Sequence, residues 1–116
     1  MKSSDKTNGQ AARVQILDVG GDMNASGMVR IRNRIERLVR RDLVHMVLDV
    51  HKARHVDLAG LGILAESLGW IRYLEGDLVL AGARPSVRRI FQKTGTDKLM
   101  QVYNGVRAAV RSFSHS

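Results

Sequence analysis

An α/β domain, with a mixed central sheet of about four strands and helices packed on it, is predicted by three observations. Short apolar runs alternate along the chain with amphipathic segments, the pattern of a sheet whose strands are joined through helices. Two of the runs, residues 44–50 (Val-His-Met-Val-Leu-Asp-Val) and 78–81 (Leu-Val-Leu-Ala), are nearly continuous in apolar character, as strands buried on both faces are. Three of the helical segments open on a start signal: Asn24 and Ser26 for the first, Asp57 for the second and Pro85 for the third.

Residues 1–12 lack periodicity and carry Ser, Asp, Asn and Gly, so they read as a flexible tail ahead of a single domain over 13–116. Val14, Ile16 and Val19 alternate with Gln15 and Asp18, which gives a short strand with one buried face. Gly20-Gly21-Asp22 breaks it. A helix is expected over residues 27–41, where Met28, Ile31, Ile35, Leu38 and Val39 fall on one side at helical spacing. Arg30, Arg34, Arg37 and Arg41 line another side, widened by Arg32 and Arg40. That stripe reads either as a solvated helix surface or as an electrostatic docking face for an acidic partner.

The strand at 44–50 places Asp49 at its C-terminal end, the edge where ligands and contacts gather in open α/β sheets. A polar connection over 51–55 follows. Asp57 is expected to cap a helix over 58–73, because its carboxylate can accept from the free N–H groups of the first turn. Leu61, Leu64, Ala65, Leu68, Ile71 and Leu74 mark the buried face of that helix. Gly60 and Gly62 leave its first turn thinly covered, so the positive end of the helix dipole can be approached from outside. Glu75-Gly76-Asp77 stops the helix, and 78–81 is the next strand. Pro85 then opens a helix over 86–93 with Val87, Ile90 and Phe91 inward, and Thr94-Gly95-Thr96 ends it. Residues 97–100 read as a short turn and 101–103 as an edge strand. Val106, Ala109, Val110 and Phe113 line a final helix.

At 116 residues, with 44% hydrophobic composition, the chain is one domain able to bury a core. It contains no cysteine, which excludes a disulfide framework and a thiolate metal site and fits a reducing compartment. No segment approaches the ~20 apolar residues of a membrane span, and the N-terminal stretch lacks the apolar run of a signal peptide. A cytoplasmic location is therefore expected, without membrane insertion. The net charge of +8 and an isoelectric point of about 10.8 favour an acidic partner. Aromatic residues make up only 4% of the chain and are not interleaved with basic ones as in single-strand binders, which disfavours nucleic acid.

Asp49, His51, His55 and Asp57 are metal-binding residue types close together in sequence. Asp57 already has a capping task, however, and spacing within a connection does not make the side chains converge. No Ser-His-Asp order, phosphate-cradling glycine loop or carboxylate pair with an evident pocket is present. The chain reads as non-catalytic, with no metal and no cofactor.

Asp49, then Asp57 followed by two small or apolar residues and Gly60-Leu61-Gly62, resembles the central signature of the STAS domain, the module of sulfate transporters and anti-sigma-factor antagonists. In that signature an Asp precedes two hydroxyl residues and Gly-Leu-Gly. Gly21-Asp22-Met23-Asn24 resembles the family's Gly-x-Leu-Asp turn, and residues 82–91 resemble its strand-Pro-helix segment, followed by Thr94-Gly95 and a leucine-rich turn. The resemblance covers about 14–113. It implies a regulatory protein without catalysis, recognised by a protein partner, often a histidine-kinase-like serine kinase that is also an anti-sigma factor. It further implies a switch by phosphorylation at the helix N-terminus, where about −1.5 to −2 charge is added.

Carried onto this chain, the phosphorylated hydroxyl falls on Ala59 and its neighbour on Leu58, and neither side chain has an oxygen. Asn24 stands where the family has an acidic residue. The resemblance thus implies a partner surface of Asn24, Asp57, Leu58, Ala59, Gly60 and Leu61, with Arg30 or Arg34 adding charge, on an antagonist-like module not switched at position 59. The alternatives are an accessory subunit of a membrane transport system, a scaffold and, from charge alone, a nucleotide or nucleic-acid binder. Many relatives place a first edge strand where residues 1–12 show no strand pattern, which leaves one sheet edge bare or free for pairing. Ser67, Ser86 and Thr94 remain phosphorylatable by chemistry only, and self-association into homo-oligomers stays open.

Overall fold

The computed structural model describes residues 13–114; the tail expected at 1–12 lies outside them. The elements run β1 (Gln15–Asp18), α1 (Ala25–Val39), β2 (His45–Asp49), α2 (Leu58–Tyr73), β3 (Asp77–Ala81), α3 (Pro85–Thr94), α4 (Thr96–Leu99), β4 (Val102–Tyr103) and α5 (Val106–Ser112). The strands form one sheet in the order β1-β2-β3-β4. Among the described residues every pairing is parallel. Within the described residues the sheet is therefore parallel where a mixed sheet was expected: each pair of successive strands is joined through a helix, which returns the chain to the edge where the previous strand began.

The strand pleat sorts the core into two layers. Leu17, Met46, Leu48, Leu78 and Leu80 point to the face covered by Met28, Ile31 and Ile35 of α1, Leu64, Leu68 and Ile71 of α2, and Val87 and Phe91 of α3. Val47, Val79 and Ala81 point the other way, where Ala109 and the half-buried Val106, Val110 and Phe113 of the C-terminal segment meet them. The ring of Phe113 stands edge-on to His45, with centroids 5.5 Å apart. Each fully buried leucine contributes roughly 1.5–3 kcal/mol relative to exposure.

Several expectations are revised. Ile16, expected on the buried face of β1, is 49% exposed, and Leu17 is fully buried instead. Ile16 lies beside Val47, on the side of the strand away from α1, whereas Leu17 lies beside Leu48 on the side that α1 covers. Helix α1 begins at Ala25 and ends at Val39, so Arg40 and Arg41 belong to the turn that follows. On α2, Ala65 and Leu74 are exposed, whereas Ser67 is buried among the apolar residues of that helix. In place of the turn expected at 97–100, the chain makes the single-turn helix α4, entered through Gly95 at φ 80.

Two glycines in the first turns of α2 play opposite parts. A methyl group on Gly60 would overlap the carbonyl of Met23 and crowd Asn24 Cα, whereas one on Gly62 would meet nothing within 4 Å. Gly60→Ala should therefore lower stability by about 1–3 kcal/mol through forced displacement of the Met23 backbone. Gly62→Ala should raise it by up to about 1 kcal/mol through helix propensity. Urea unfolding of the two variants beside the wild type checks both signs.

Candidate functional site

In a parallel sheet each helix starts from the carboxyl end of the strand before it, so the N-termini of α1 and α2 lie at the same edge. There they are fastened to each other. Met23, immediately before the cap of α1, bridges in parallel to Val56, immediately before the cap of α2. The Met23 N–H donates to the His55 carbonyl at 3.0 Å, and the Asp57 N–H donates to the Met23 carbonyl at 3.2 Å. This bridge behaves as a short extra strand pair beyond the main sheet, and it fixes the spacing of the two helix ends.

Each end is capped by the side chain that the sequence offers. Asn24 Oδ1 accepts from the Gly27 N–H at 2.9 Å, and the Ser26 hydroxyl donates to the same oxygen at 3.1 Å. Asn24 is thus the cap of α1, and Ser26 supports it. Asp57 Oδ1 accepts from the Gly60 N–H at 2.7 Å. Neither helix has an acidic residue in its first turn, so the positive ends of both dipoles face outward without a carboxylate beyond the Asp57 cap.

Of the six residues expected at the partner surface, Asn24, Asp57, Leu58 and Ala59 are exposed, and Leu58 is the most open at 78%. Gly60 is buried against Met23, and Leu61 is half-buried against the core. These two shape the surface from beneath. Beyond Ala59 the outer side of α2 stays nearly uncharged: its exposed positions as far as Trp70 carry one charge, Glu66, and Tyr73 stands 85% exposed at the far end.

Asp22 is the residue whose part exceeded its motif. Its Oδ1 accepts from the backbone N–H groups of Arg54 at 2.9 Å and His55 at 3.1 Å, which ties the loop before α1 to the loop before α2. Those two main-chain hydrogen bonds hold its carboxyl below the ordinary value of 3.8, helped by the nearby His55 and Arg54 charges. The sequence signal was an acidic residue two places ahead of a cap, but nothing local to it named Arg54 and His55 as partners.

The four residues considered as metal ligands do not come together as a set. Among the described residues, Asp49 and His51 lie near Asp18, with ligand atoms within 4.8 Å of one another. His55 stands outside the group, and Asp57 is engaged as a cap. The groups that do meet already serve the loops. Asp49 Oδ1 lies 2.8 Å from His51 Nδ1 and accepts from the His51 N–H at 3.1 Å. Asp18 accepts from the Gly20 N–H at 2.8 Å and pairs with Lys52 at 3.4 Å. Of the hydroxyls noted by chemistry, Ser67 is buried and the Thr94 hydroxyl donates to the Ile90 carbonyl at 2.8 Å.

A parallel α/β sheet with two capped helix N-termini bridged at its carboxyl edge defines a domain of the STAS type. The chain belongs to the STAS domain family, whose model matches residues 7–109. It is 29% identical over 93 residues to the anti-sigma F factor antagonist of Paenibacillus polymyxa, covering 78% of this chain and 79% of that one. In fold it is similar to a Thermotoga maritima protein provisionally assigned as an anti-sigma factor antagonist, with TM-score 0.80, 18% identity and 87% of each chain covered. It is also similar to the STAS domain of a Vibrio cholerae SulP transporter, with TM-score 0.72 and 16% identity over 86% of this chain and 80% of that one. No helix among the described residues is long and apolar enough to cross a membrane.

Two measurements probe the site's framework. Asp57→Ala should cost about 1 kcal/mol as a lost cap, read by urea unfolding at neutral pH. For Asp22 the folded pKa is depressed, so its contribution is complete above the ordinary carboxylate value and is lost as pH falls below about 3.8 towards its folded value. The stability gap between wild type and Asp22→Ala should therefore be widest at neutral pH and narrow at pH 3.

Proposed function

We propose that this protein is a non-catalytic, anti-sigma-factor-antagonist-like module whose partner, a kinase-like anti-sigma factor or a related regulator, reads the bridged N-termini of α1 and α2. The observation that carries the reading is Leu58, an apolar side chain 78% exposed beside Ala59 on the first turn of the Asp57-capped helix. A lone exposed leucine is ordinary. This one continues into the nearly uncharged outer side of α2 in a protein of net charge +8, which is how a contact patch differs from a solvated helix face.

The regulation differs from that implied by the family signature. Leu58 and Ala59 occupy the two hydroxyl positions, so the phosphate that would bring about −1.5 to −2 charge to this helix end has no oxygen to attach to. The surface is permanently in its unphosphorylated state, and the module is a constitutive binder or a scaffold whose control lies in its partner or its abundance. Asn24, beside the same edge, keeps the cap of α1 neutral as well.

The test uses purified protein and the anti-sigma-factor kinases of the source cell, with wild type, Ala59→Ser and Ala59→Glu compared by affinity measurement. Wild type and Ala59→Ser should bind alike, and Ala59→Glu should bind at least about tenfold more weakly, since a charge without a partner is forced into an apolar contact. Equal binding of all three, or capture of transporter subunits alone, would remove this surface from the interaction and favour the transport-accessory reading.

A further inference from the structure

We propose that the outer face of α2, from Leu58 to Tyr73, is a docking strip for an amphipathic helix of a partner protein, one whose apolar ridge is flanked by acidic residues. This deepens the reading above and rests on it for the place of the partner, which it carries from the helix N-terminus along the whole helix. Of the six large hydrophobic side chains exposed among the described residues, Leu58, Trp70, Tyr73 and Leu74 belong to this one segment. Leu58, Gly62, Ala65, Gly69 and Tyr73 follow at steps of four, three, four and four, so they form one line along the helix, and all five are exposed. The line is about 22 Å long at 1.5 Å per residue.

Nothing among the described residues requires Gly62 and Gly69 to lack a side chain. A methyl group on either would meet nothing within 4 Å, and glycine inside a helix costs stability relative to alanine. Two helical turns separate them, the interval at which the ridge of a second helix returns to the same line. Bare backbone at both points lets that ridge come close. The neighbouring helices set its charge. Helices α1, α2 and α3 cover the same face of the sheet, and the strand order β1-β2-β3-β4 makes α2 the middle one. On its two sides Arg30 and Arg37 of α1 and Arg89 and Lys93 of α3 are exposed, opposite the buried residues of their own helices. Among the described residues none of these four is in an ion pair. A helix laid on the strip would meet a nearly uncharged line between two cationic walls, and carboxylates on its flanks would pair with those walls.

Other occupants fit less well. A second copy laid on the strip would set cationic walls against cationic walls, whichever way it faced. A nucleic-acid duplex offers phosphates to the walls but no apolar ridge to the strip between them. A bilayer takes up bulky apolar side chains, and the middle of this line is glycine and alanine. The chain's own residues 1–12 carry Lys2 and Lys6 against Asp5, so charge favours a partner's acidic helix over them.

The test titrates the full chain with a synthetic helical peptide of about three heptads, with Leu and Ala on its apolar ridge and Glu on both flanks. It follows the fluorescence of Trp70, the only tryptophan of the chain. Binding should shield Trp70 from acrylamide, weaken with added salt and fall by about tenfold or more when Lys replaces Glu on the flanks. Gly69→Gln should lower the affinity by about tenfold or more, because its side chain stands where the peptide must come close. Urea unfolding should show that variant at least as stable as wild type, since glutamine favours the helix and meets nothing in the unbound chain. The two readings fail separately: kinase binding of Ala59→Glu judges the helix terminus, and peptide binding of Gly69→Gln judges the strip. Four results would overturn the proposal: no binding of the Glu-flanked peptide at low salt; equal binding by Gly69→Gln; equal binding of the Lys-flanked peptide, or shielding of Trp70 by duplex DNA or anionic vesicles in its place; or a Trp70 already shielded in the unbound chain, where sedimentation would tell a second copy from the chain's own residues 1–12.

Discussion

The contact between the first turn of α2 and the loop before α1 sets the geometry of this protein's exposed edge. Gly60 lies so close to the Met23 carbonyl that a side chain there would overlap it unless the backbone shifted, and the Met23–Val56 bridge holds the two caps in register. Asp22 adds a second tie by accepting from Arg54 and His55. Without these three links α1 and α2 would still bury their apolar sides on the sheet. Their N-termini would no longer form one surface, because nothing in core packing specifies where a loop end sits.

Charge and apolarity are divided between the two helices. Helix α1 carries its arginines on the side away from the core, and α2 shows solvent a face with little charge. A protein of net charge +8 repels its own copies over most of its surface. The weakly charged side of α2 is where an apolar contact carries the smallest desolvation cost.

Much of this was legible in the sequence because the signals were local. The Asp57 cap, the Pro85 start, the limits of α2 and the two central strands follow from residue types at short range, and the structure agrees on each. Of the six residues expected at a partner surface, Asn24, Asp57, Leu58 and Ala59 are exposed. The burial of Gly60 and Leu61 was not legible in the sequence, since it depends on Met23 and on the core, and Met23 lies more than thirty residues away in sequence. The metal grouping failed for the same reason: Asp49, His51, His55 and Asp57 adjoin in sequence, but the chain direction changes between β2 and α2, and the donor nearest the first two is Asp18 at the end of β1.

The sequence by itself determined the order and kind of the elements other than α4, the caps, the family signature and the missing oxygens at positions 58 and 59, because each is a property of neighbouring residues. Tertiary structure alone decided that every strand pair among the described residues is parallel, that Leu17 rather than Ile16 is buried in β1, and that Asp22 bonds to the loop before α2. Each of these depends on which distant segments become neighbours. Hydrophobic burial and main-chain hydrogen bonding settle that only for the chain as a whole.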